Sequence, residues 1–325
     1  MVLSGAVDAV IVTLTANPSI DRTLEIPSLD RGEVVRATAA RVHPGGKGVN
    51  VARALVANGI PARAVLPAGG REGDQLLDLL SSRGVDVVPI PIIEPVRENV
   101  TVVEPDGTVT KLNAPGPQLS PIETDRLIQV TVEASRGADW VALCGTLPPG
   151  APETLYATLV RELHGIGVRV AVDTSGPALV RAIEAGPDLI KPNADELAEA
   201  VASPIESLTD VAQGARKLLE RGVRHVLVSL GKDGAISVSD SVAHRAWTPP
   251  VVPRSTVGAG DATLAGFLAS NDHQSEALRT AVAWGAAAVR LPGTEMPGPA
   301  DIDVDEVKIE ELEAGRALDS RRGIG

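Results

Sequence analysis

Along most of this chain, short apolar runs alternate with stretches whose apolar positions recur at helical spacing. Residues 8–15 form a β-branched run, the pattern of a strand covered on both faces. Residues 46–58 then carry Val49, Ala52, Leu55 and Val56 at i, i+3, i+6 and i+7, which predicts a helix closed by Gly59. The same alternation predicts strands at 62–67, 85–90, 140–144, 168–173, 189–191 and 225–229. Helices are predicted between them at 72–82, 121–135, 152–163, 177–185, 194–202 and 208–221. Ser120, with Glu123 three residues on, is a capping-box start for the helix at 121–135. Two thinner strands are expected at 235–238 and 242–247, and the last helices at 260–269 and 276–291.

Two strand pairs break this rhythm. Residues 23–26 and 33–39 are polar-alternating pieces separated by Pro27 and Gly32, and 99–103 and 108–112 flank the turn chemistry of Glu104-Pro-Asp-Gly107. They are expected to form a small β-layer outside the main sheet. The remaining order predicts an α/β fold with a doubly wound, mostly parallel central sheet flanked by helices. The expected organisation is a core of residues 1–16, 44–92 and 116–325 and a β-sheet lid of 17–43 and 93–115. The acidic tail after Pro292 is weakly patterned, and 316–325 is expected to fray.

Composition narrows function more than fold. The 42 acidic residues outnumber the 30 basic ones, for a net charge of −12, which argues against nucleic acid as a partner. The aromatic residues are only Trp140, Tyr156, Trp247, Phe267 and Trp284, too few for a single-strand stacking platform. A single cysteine, Cys144, excludes an internal disulfide framework and fits a reducing compartment. No apolar stretch approaches the ~18–20 residues of a membrane span. The apolar start contains Asp8 and lacks a basic flank, so a cytoplasmic protein with no membrane partner is expected.

Several local patterns could carry chemistry, each beside a plainer alternative. Pro44-Gly-Gly-Lys-Gly-Val-Asn50 opens a helix, where close backbone approach and free N–H groups suit an anion or sugar hydroxyls. It is not a phosphate-binding loop of the GxxxxGK type, and it could be a tight turn alone. Ser255-Thr-Val-Gly-Ala-Gly-Asp261 sets a carboxylate in the first turn of a helix beside glycine amides. Phosphoryl transfer to a hydroxyl needs such a base and such an anion site; a helix cap is the alternative. In Lys191-Pro-Asn-Ala-Asp-Glu-Leu197, Asn193 and Glu196 share one face at a helix start, suited to water-mediated Mg²⁺ or to a capping box. Ser229-Leu-Gly231 ends a strand in a glycine loop that could meet nucleotide phosphate. Arg97 could fork onto a phosphate, and Asp21 lies just past the first strand, where open α/β sheets bind ligands. The five histidines are scattered without metal-ligand spacing, and Cys144 reads as a buried small residue.

Taken in order, Asn17-Pro-x-x-Asp21, Gly-Gly-Lys-Gly-x-Asn50, Arg97-x-Asn-Val, Gly145-Thr-Leu-Pro-x-Gly150, Lys191-Pro-Asn-x-x-Glu-Leu, Ser229-Leu-Gly-x-x-Gly-Ala and Thr256-Val-Gly-Ala-Gly-Asp261 resemble the PfkB branch of the ribokinase superfamily. The resemblance runs from about residue 10 to about residue 300. It implies a ribokinase-like core with a small β-sheet lid that often mediates a homodimer, and it implies ATP, Mg²⁺ and phosphorylation of a sugar hydroxyl. On this resemblance Asp261 is the base and Gly258, Ala259 and Gly260 the anion hole. Asp21, Gly45, Gly46, Lys47, Asn50 and Arg97 hold the substrate. Lys191, Asn193, Glu196, Ser229, Gly231 and Thr256 serve the nucleotide, with Asn193 and Glu196 reaching Mg²⁺ through water. Lys47 and Arg97 resemble the phosphosugar-kinase subgroup, the 1-phosphofructokinases and tagatose-6-phosphate kinases, and imply fructose 1-phosphate as substrate. Tagatose 6-phosphate or fructose 6-phosphate, or a non-catalytic phosphosugar-binding role, are the alternatives. Cys144-Gly-Thr146 departs from the family's usual Ser-Gly-Ser, which leaves the role of position 144 open. At −12 the chain cannot draw anionic substrates by net charge, so attraction must be local; two of its six lysines, Lys47 and Lys191, fall in these motifs.

Overall fold

The computed structural model describes residues 10–270 and 274–312. The chain begins with β1 (Ile11–Thr15), β2 (Ser19–Glu25), β3 (Ala39–Gly45), α1 (Lys47–Ala57), β4 (Ala62–Ala68), α2 (Gly70–Ser81) and β5 (Asp86–Pro91). It continues through β6 (Arg97–Val103), β7 (Val109–Asn113), α3 (Pro121–Ala134), β8 (Trp140–Cys144), α4 (Leu155–Gly165), β9 (Arg169–Asp173) and α5 (Gly176–Ile183). Then come β10 (Leu189–Ile190), α6 (Ala194–Val201), α7 (Leu208–Leu219), β11 (His225–Ser229), β12 (Ala235–Ser239), β13 (Ala243–Trp247), α8 (Ala259–Ala269), α9 (Gln274–Val289) and β14 (Lys308–Glu311).

The larger sheet has the order β14-β13-β12-β11-β10-β9-β8-β1-β4-β5. Its strands are parallel from β5 to β11 and antiparallel beyond. Successive side chains of a strand point to opposite faces, so a strand covered on both sides buries every residue, as β1 does. In β1, Ile11 joins the core built with α1, α2, α8 and α9, whereas Val12 and Leu14 join the core built with α3 to α7. The fold is thus ribokinase-like: a mostly parallel sheet between two helical layers. The capping box expected at α3 is present, with Ser120 accepting from Glu123 N and Glu123 accepting from Ser120 N. Among the described residues no helix is long and apolar enough to cross a membrane.

The smaller sheet runs β3-β2-β6-β7. Its second expected strand, 33–39, is displaced: the strand is β3 at Ala39–Gly45, pairing with β2 from Glu25↔Ala39 to Ser19↔Gly45. Residues 27–38 alternate in polarity but are largely solvent-exposed, and alternation without a partner edge does not make a strand. A second difference is β14, which lies in the tail read as unpatterned. It is a charged edge strand paired only with β13, and only Ile309 of Lys308-Ile-Glu-Glu is half-buried, so no alternation marks it. The helix expected from 152 begins at Leu155. The expected fraying at 316–325 lies outside the described residues.

Candidate active site

Three parallel strands end together, and two helices start over their ends. Asp173 is the last residue of β9, in register with Cys144 at the end of β8. Lys47 is the first residue of α1, and Lys191 follows β10 directly. These elements bring both lysines onto one carboxylate. Lys47 Nζ lies 2.7 Å from Asp173 Oδ1 and Lys191 Nζ 3.2 Å from Oδ2. Lys47 Nζ also lies 3.9 Å from Glu196 Oε1. Burial alone would raise the Asp173 carboxyl, but the Lys191 and Lys47 ammonium groups outweigh it and hold it below the usual range. Burial likewise opposes the charge of Lys47, yet Asp173 outweighs it and the lysine is raised.

Asp261 sits above this pair, in the first turn of α8. Gly258 caps that helix in the left-handed region, at φ 81°, where a side chain would be strained, so the backbone favours glycine at this position. The first backward bond of the helix is Ala262 N to Gly258 O, at 2.9 Å. The amides of Ala259, Gly260 and Asp261 therefore have no intrahelical acceptor and are open at the helix start. A Cβ on Gly260 would lie 3.5 Å from Lys191 Nζ, which places that ammonium beside the open amides. Burial pushes the Asp261 carboxyl up to about 6, and the Asp173 charge adds to this. The Asn50 Nδ2 hydrogen bond to Asp261 Oδ2 (2.8 Å) and the two lysines pull the other way. The buried Cys144 thiol, raised well above 9 by burial and then by the Asp173 and Asp261 charges, stays protonated. The strand end carrying it is held by Tyr156, whose buried hydroxyl reaches the carbonyls of Cys144 and Gly145, both at 2.9 Å.

On one side of Asp261 opens a cavity of about 390 Å³, lined by Asn193, Ser229, Gly231, Thr256, Ala259 and Gly260 among others. Asn193 and Ser229 are joined as a parallel bridge, so the two strand-end loops form one wall. Val251, Val282 and Val289 give the cavity an apolar side. Asn193 and Glu196 do form a capping box: Asn193 Oδ1 accepts from Glu196 N at 2.8 Å and Glu196 Oε2 from Asn193 N at 2.9 Å. Glu196 Oε1 is left facing Lys47, so capping and a site role coexist. No group of three or more His, Cys, Asp or Glu among the described residues could hold a metal ion.

On the other side lies the smaller sheet. Asp21 Oδ1 accepts from Ser19 Oγ (2.7 Å) and from Asn99 Nδ2 (3.0 Å). Its carboxylate lies directly over Gly45, where any Cβ would collide with it, so the Gly45 backbone and the carboxylate form one surface. Gly46 follows at φ 113° as the N-cap of α1. Arg97 donates from Nη1 to Ala114 O (2.8 Å) and from Nη2 to Asn17 O (3.0 Å), so both terminal nitrogens tie loops together. Sequence reasoning missed Asp173 and Arg53. Asp173 was signalled by a charge closing the otherwise apolar Val170-Ala-Val172, and Arg53 by its place three residues after Asn50 on α1.

Residues 8–301 match the family model described as pfkB family carbohydrate kinase. The chain is 36% identical to a 1-phosphofructokinase of Rhodobacter capsulatus over 296 residues, 89% of this chain and 93% of that one. It is also 36% identical to an ATP-dependent 6-phosphofructokinase isozyme 2 of Escherichia coli (strain K12) over 292 residues, 88% of this chain and 94% of that one. Among solved structures, the phosphofructokinase-2 from Escherichia coli in complex with substrates and products superposes with a TM-score of 0.85 at 35% identity, covering 90% of this chain and 96% of that one.

Proposed function

The chain belongs to the pfkB family of carbohydrate kinases, and from that premise we propose that it transfers the γ-phosphoryl group of ATP to fructose 1-phosphate, giving fructose 1,6-bisphosphate and ADP. The observation that carries the reading is the buried carboxyl of Asp261, raised to about 6, beside the open amides of Ala259 to Asp261. At neutral pH it is mostly ionised and can take the proton of the C6 hydroxyl as that oxygen attacks in line. The amides and Lys191 receive the charge that develops on the transferred group. The proposal gives the substrate hydroxyls to Asp21, Gly45, Gly46 and Asn50, and the nucleotide to the cavity bounded by Asn193, Ser229, Gly231 and Thr256. Lys47 lies between the two and reaches the substrate's own phosphate in this reading. Arg97 supports that end by fixing Asn17 and the loop at Ala114. When bound, Mg²⁺ held through water by Asn193 and Glu196 would neutralise phosphate oxygens.

A second reading, fructose 6-phosphate as acceptor, is supported by the equal identity to the isozyme 2 relative. A coupled ADP-release assay over fructose 1-phosphate, fructose 6-phosphate, tagatose 6-phosphate, free sugars and nucleosides tests both. We expect kcat/KM for fructose 1-phosphate to exceed the others by at least about tenfold, which corresponds to about 1.4 kcal/mol of differential transition-state binding. A preference for fructose 6-phosphate would move the assignment to the second reading, and no ADP release with any acceptor would leave a binding protein.

The proposal extends to the smaller sheet as a lid and as the contact of a cytoplasmic homodimer. Its outer strand β7 exposes Leu112 at 60%, an apolar position that a partner would cover. Light scattering is expected to give a mass twice the chain's 33.5 kDa, and Leu112→Glu to halve it. A wild-type monomer at all concentrations would remove this part.

A further inference from the structure

Arg53 lies on α1, one turn beyond Asn50, and is only 7% exposed. Its Nη1 donates to Asn50 Oδ1 at 3.0 Å, and its Nε is buried without a partner. The other end of the same amide, Nδ2, lies 2.8 Å from Asp261 Oδ2. A guanidinium has only donors, so the amide atom facing it has to be the oxygen. Nδ2 then has to face Asp261, and the carboxylate has to be the acceptor. Each link of the chain Arg53–Asn50–Asp261 thus fixes the polarity of the next. We propose that Arg53 is a positioning residue for phosphoryl transfer: a buried guanidinium that locks the Asn50 amide with its N–H toward Asp261 and so keeps that carboxyl an acceptor. The inference rests on reading Asp261 as the base.

The charge arrangement suits this task. A buried arginine is costly unless something uses its charge, and an apolar side chain would fill the same space without that cost. Burial pushes Arg53 down to about 10, and Arg83 adds to this, while Asp21, Asp261 and Glu295 oppose it. It therefore remains a cation at neutral pH. His43, lowered by burial and then by Arg53 and Arg83, is neutral beside it. Around Asp261 stand Asn50 and Lys47 from α1, Asp173 from β9, Lys191 after β10 and the Cys144 thiol from β8. None of these fixes which way the Asn50 amide faces. The terminal torsion of an Asn is broad and two-fold, so without Arg53 only an ionised Asp261 selects Nδ2, and the amide can turn over once that carboxyl is protonated. Oδ1 would then face Asp261, an arrangement that favours the protonated carboxylic acid over the carboxylate.

The test follows the Asp261 carboxyl carbon by NMR in protein labelled at aspartate carboxyls, the signal being assigned by its loss in Asp261→Asn. The wild-type midpoint is expected at about 6. In Arg53→Gln, which can donate or accept, and in Arg53→Met, which cannot donate, it is expected to rise by about one pH unit or more. Arg53→Lys, again a pure donor, should restore most of the wild-type midpoint. The acid limb of kcat/KM should move in step with each. In an Asn50→Ala background, Arg53→Gln should add a clearly smaller shift, only the direct effect of its charge on Asp261, because the intermediary is gone. A wild-type midpoint in Arg53→Gln or Arg53→Met overturns the proposal, whatever happens to stability. So does an undiminished further shift in the Asn50→Ala background. The NMR titration needs no turnover, so absence of ADP release would sink the kinase reading while the midpoint still decides the role of Arg53.

Discussion

Asp261→Asn is expected to lower kcat by about 10²–10⁴-fold, the range for losing a general base, with far smaller changes in KM. The substituted amide keeps the shape and can still accept from Asn50 Nδ2, which lies 2.8 Å from the native oxygen, so the loss is chemical rather than architectural. The same group sets the acid limb. Burial, aided by Asp173, raises the carboxyl from 3.8 to about 6, and only its ionised form takes a proton, so wild-type kcat/KM should fall below about pH 6. Stability carries the opposite sign. A carboxyl raised in the folded state binds its proton more tightly folded than unfolded. Its stabilising contribution is present below the unfolded value of 3.8 and is lost as pH rises through about 6. At pH 8 the protein thus holds a buried charge that Asn lacks, and Asp261→Asn should raise Tm there by about a few degrees while nearly abolishing turnover. Near-normal turnover would remove Asp261 from the mechanism, and a lowered Tm would show that the carboxylate is not an electrostatic load on the fold.

The fold was legible because its strongest signals are local. The apolar runs of Trp140–Cys144 and of Val226-Leu-Val228 within His225–Ser229, short and rich in β-branched residues, are the pattern of strands covered on both faces, and the structure has strands at Trp140–Cys144 and His225–Ser229. The smaller sheet was legible in part. Its strands are half-exposed, so alternation spread over 33–39 as readily as over Ala39–Gly45, and only the pairing with β2 decides between them. The glycine motifs marked where backbone approaches other groups: Gly45 carries the Asp21 carboxylate over it, and Gly258 opens α8 at a positive φ. The rest of the site depends on partners far apart in the chain. Asp173 looks like a strand-end residue until Lys47, 126 positions earlier, is found 2.7 Å away. Arg53 looks like one more helix residue until its guanidinium is found inside, on Asn50. Charges whose meaning is a long-range pair leave no local period to read.

Asp173→Asn should be among the most destabilising single substitutions in the chain, costing about 3–5 kcal/mol at neutral pH, the usual effect of removing one partner from a buried ion pair. The cost falls mainly on Lys191, whose side chain is 5% exposed and has Asp173 3.2 Å away. Lys47 is 36% exposed and retains Glu196 Oε1 at 3.9 Å. The sign with pH follows from the lowered Asp173 carboxyl: its stabilising contribution is present above 3.8 and lost as pH falls through the still lower folded value. The gap between wild type and variant should therefore close in acid. Function should respond in two ways that a merely unstable protein would not show. The Asp173 charge is one of the causes that raise Asp261, and both lysines pull it down, so the acid limb of the surviving activity should move below about 6. The site also gains one net positive charge, which a polyphosphate can neutralise. ATP or tripolyphosphate alone should then raise the Tm of Asp173→Asn by more degrees than that of the wild type, because bound anion replaces the missing carboxylate as well as adding binding free energy. Equal thermal shifts, or an acid limb that stays at about 6, would mean that Asp173 only holds the strand end in place and does not set the charge of the site.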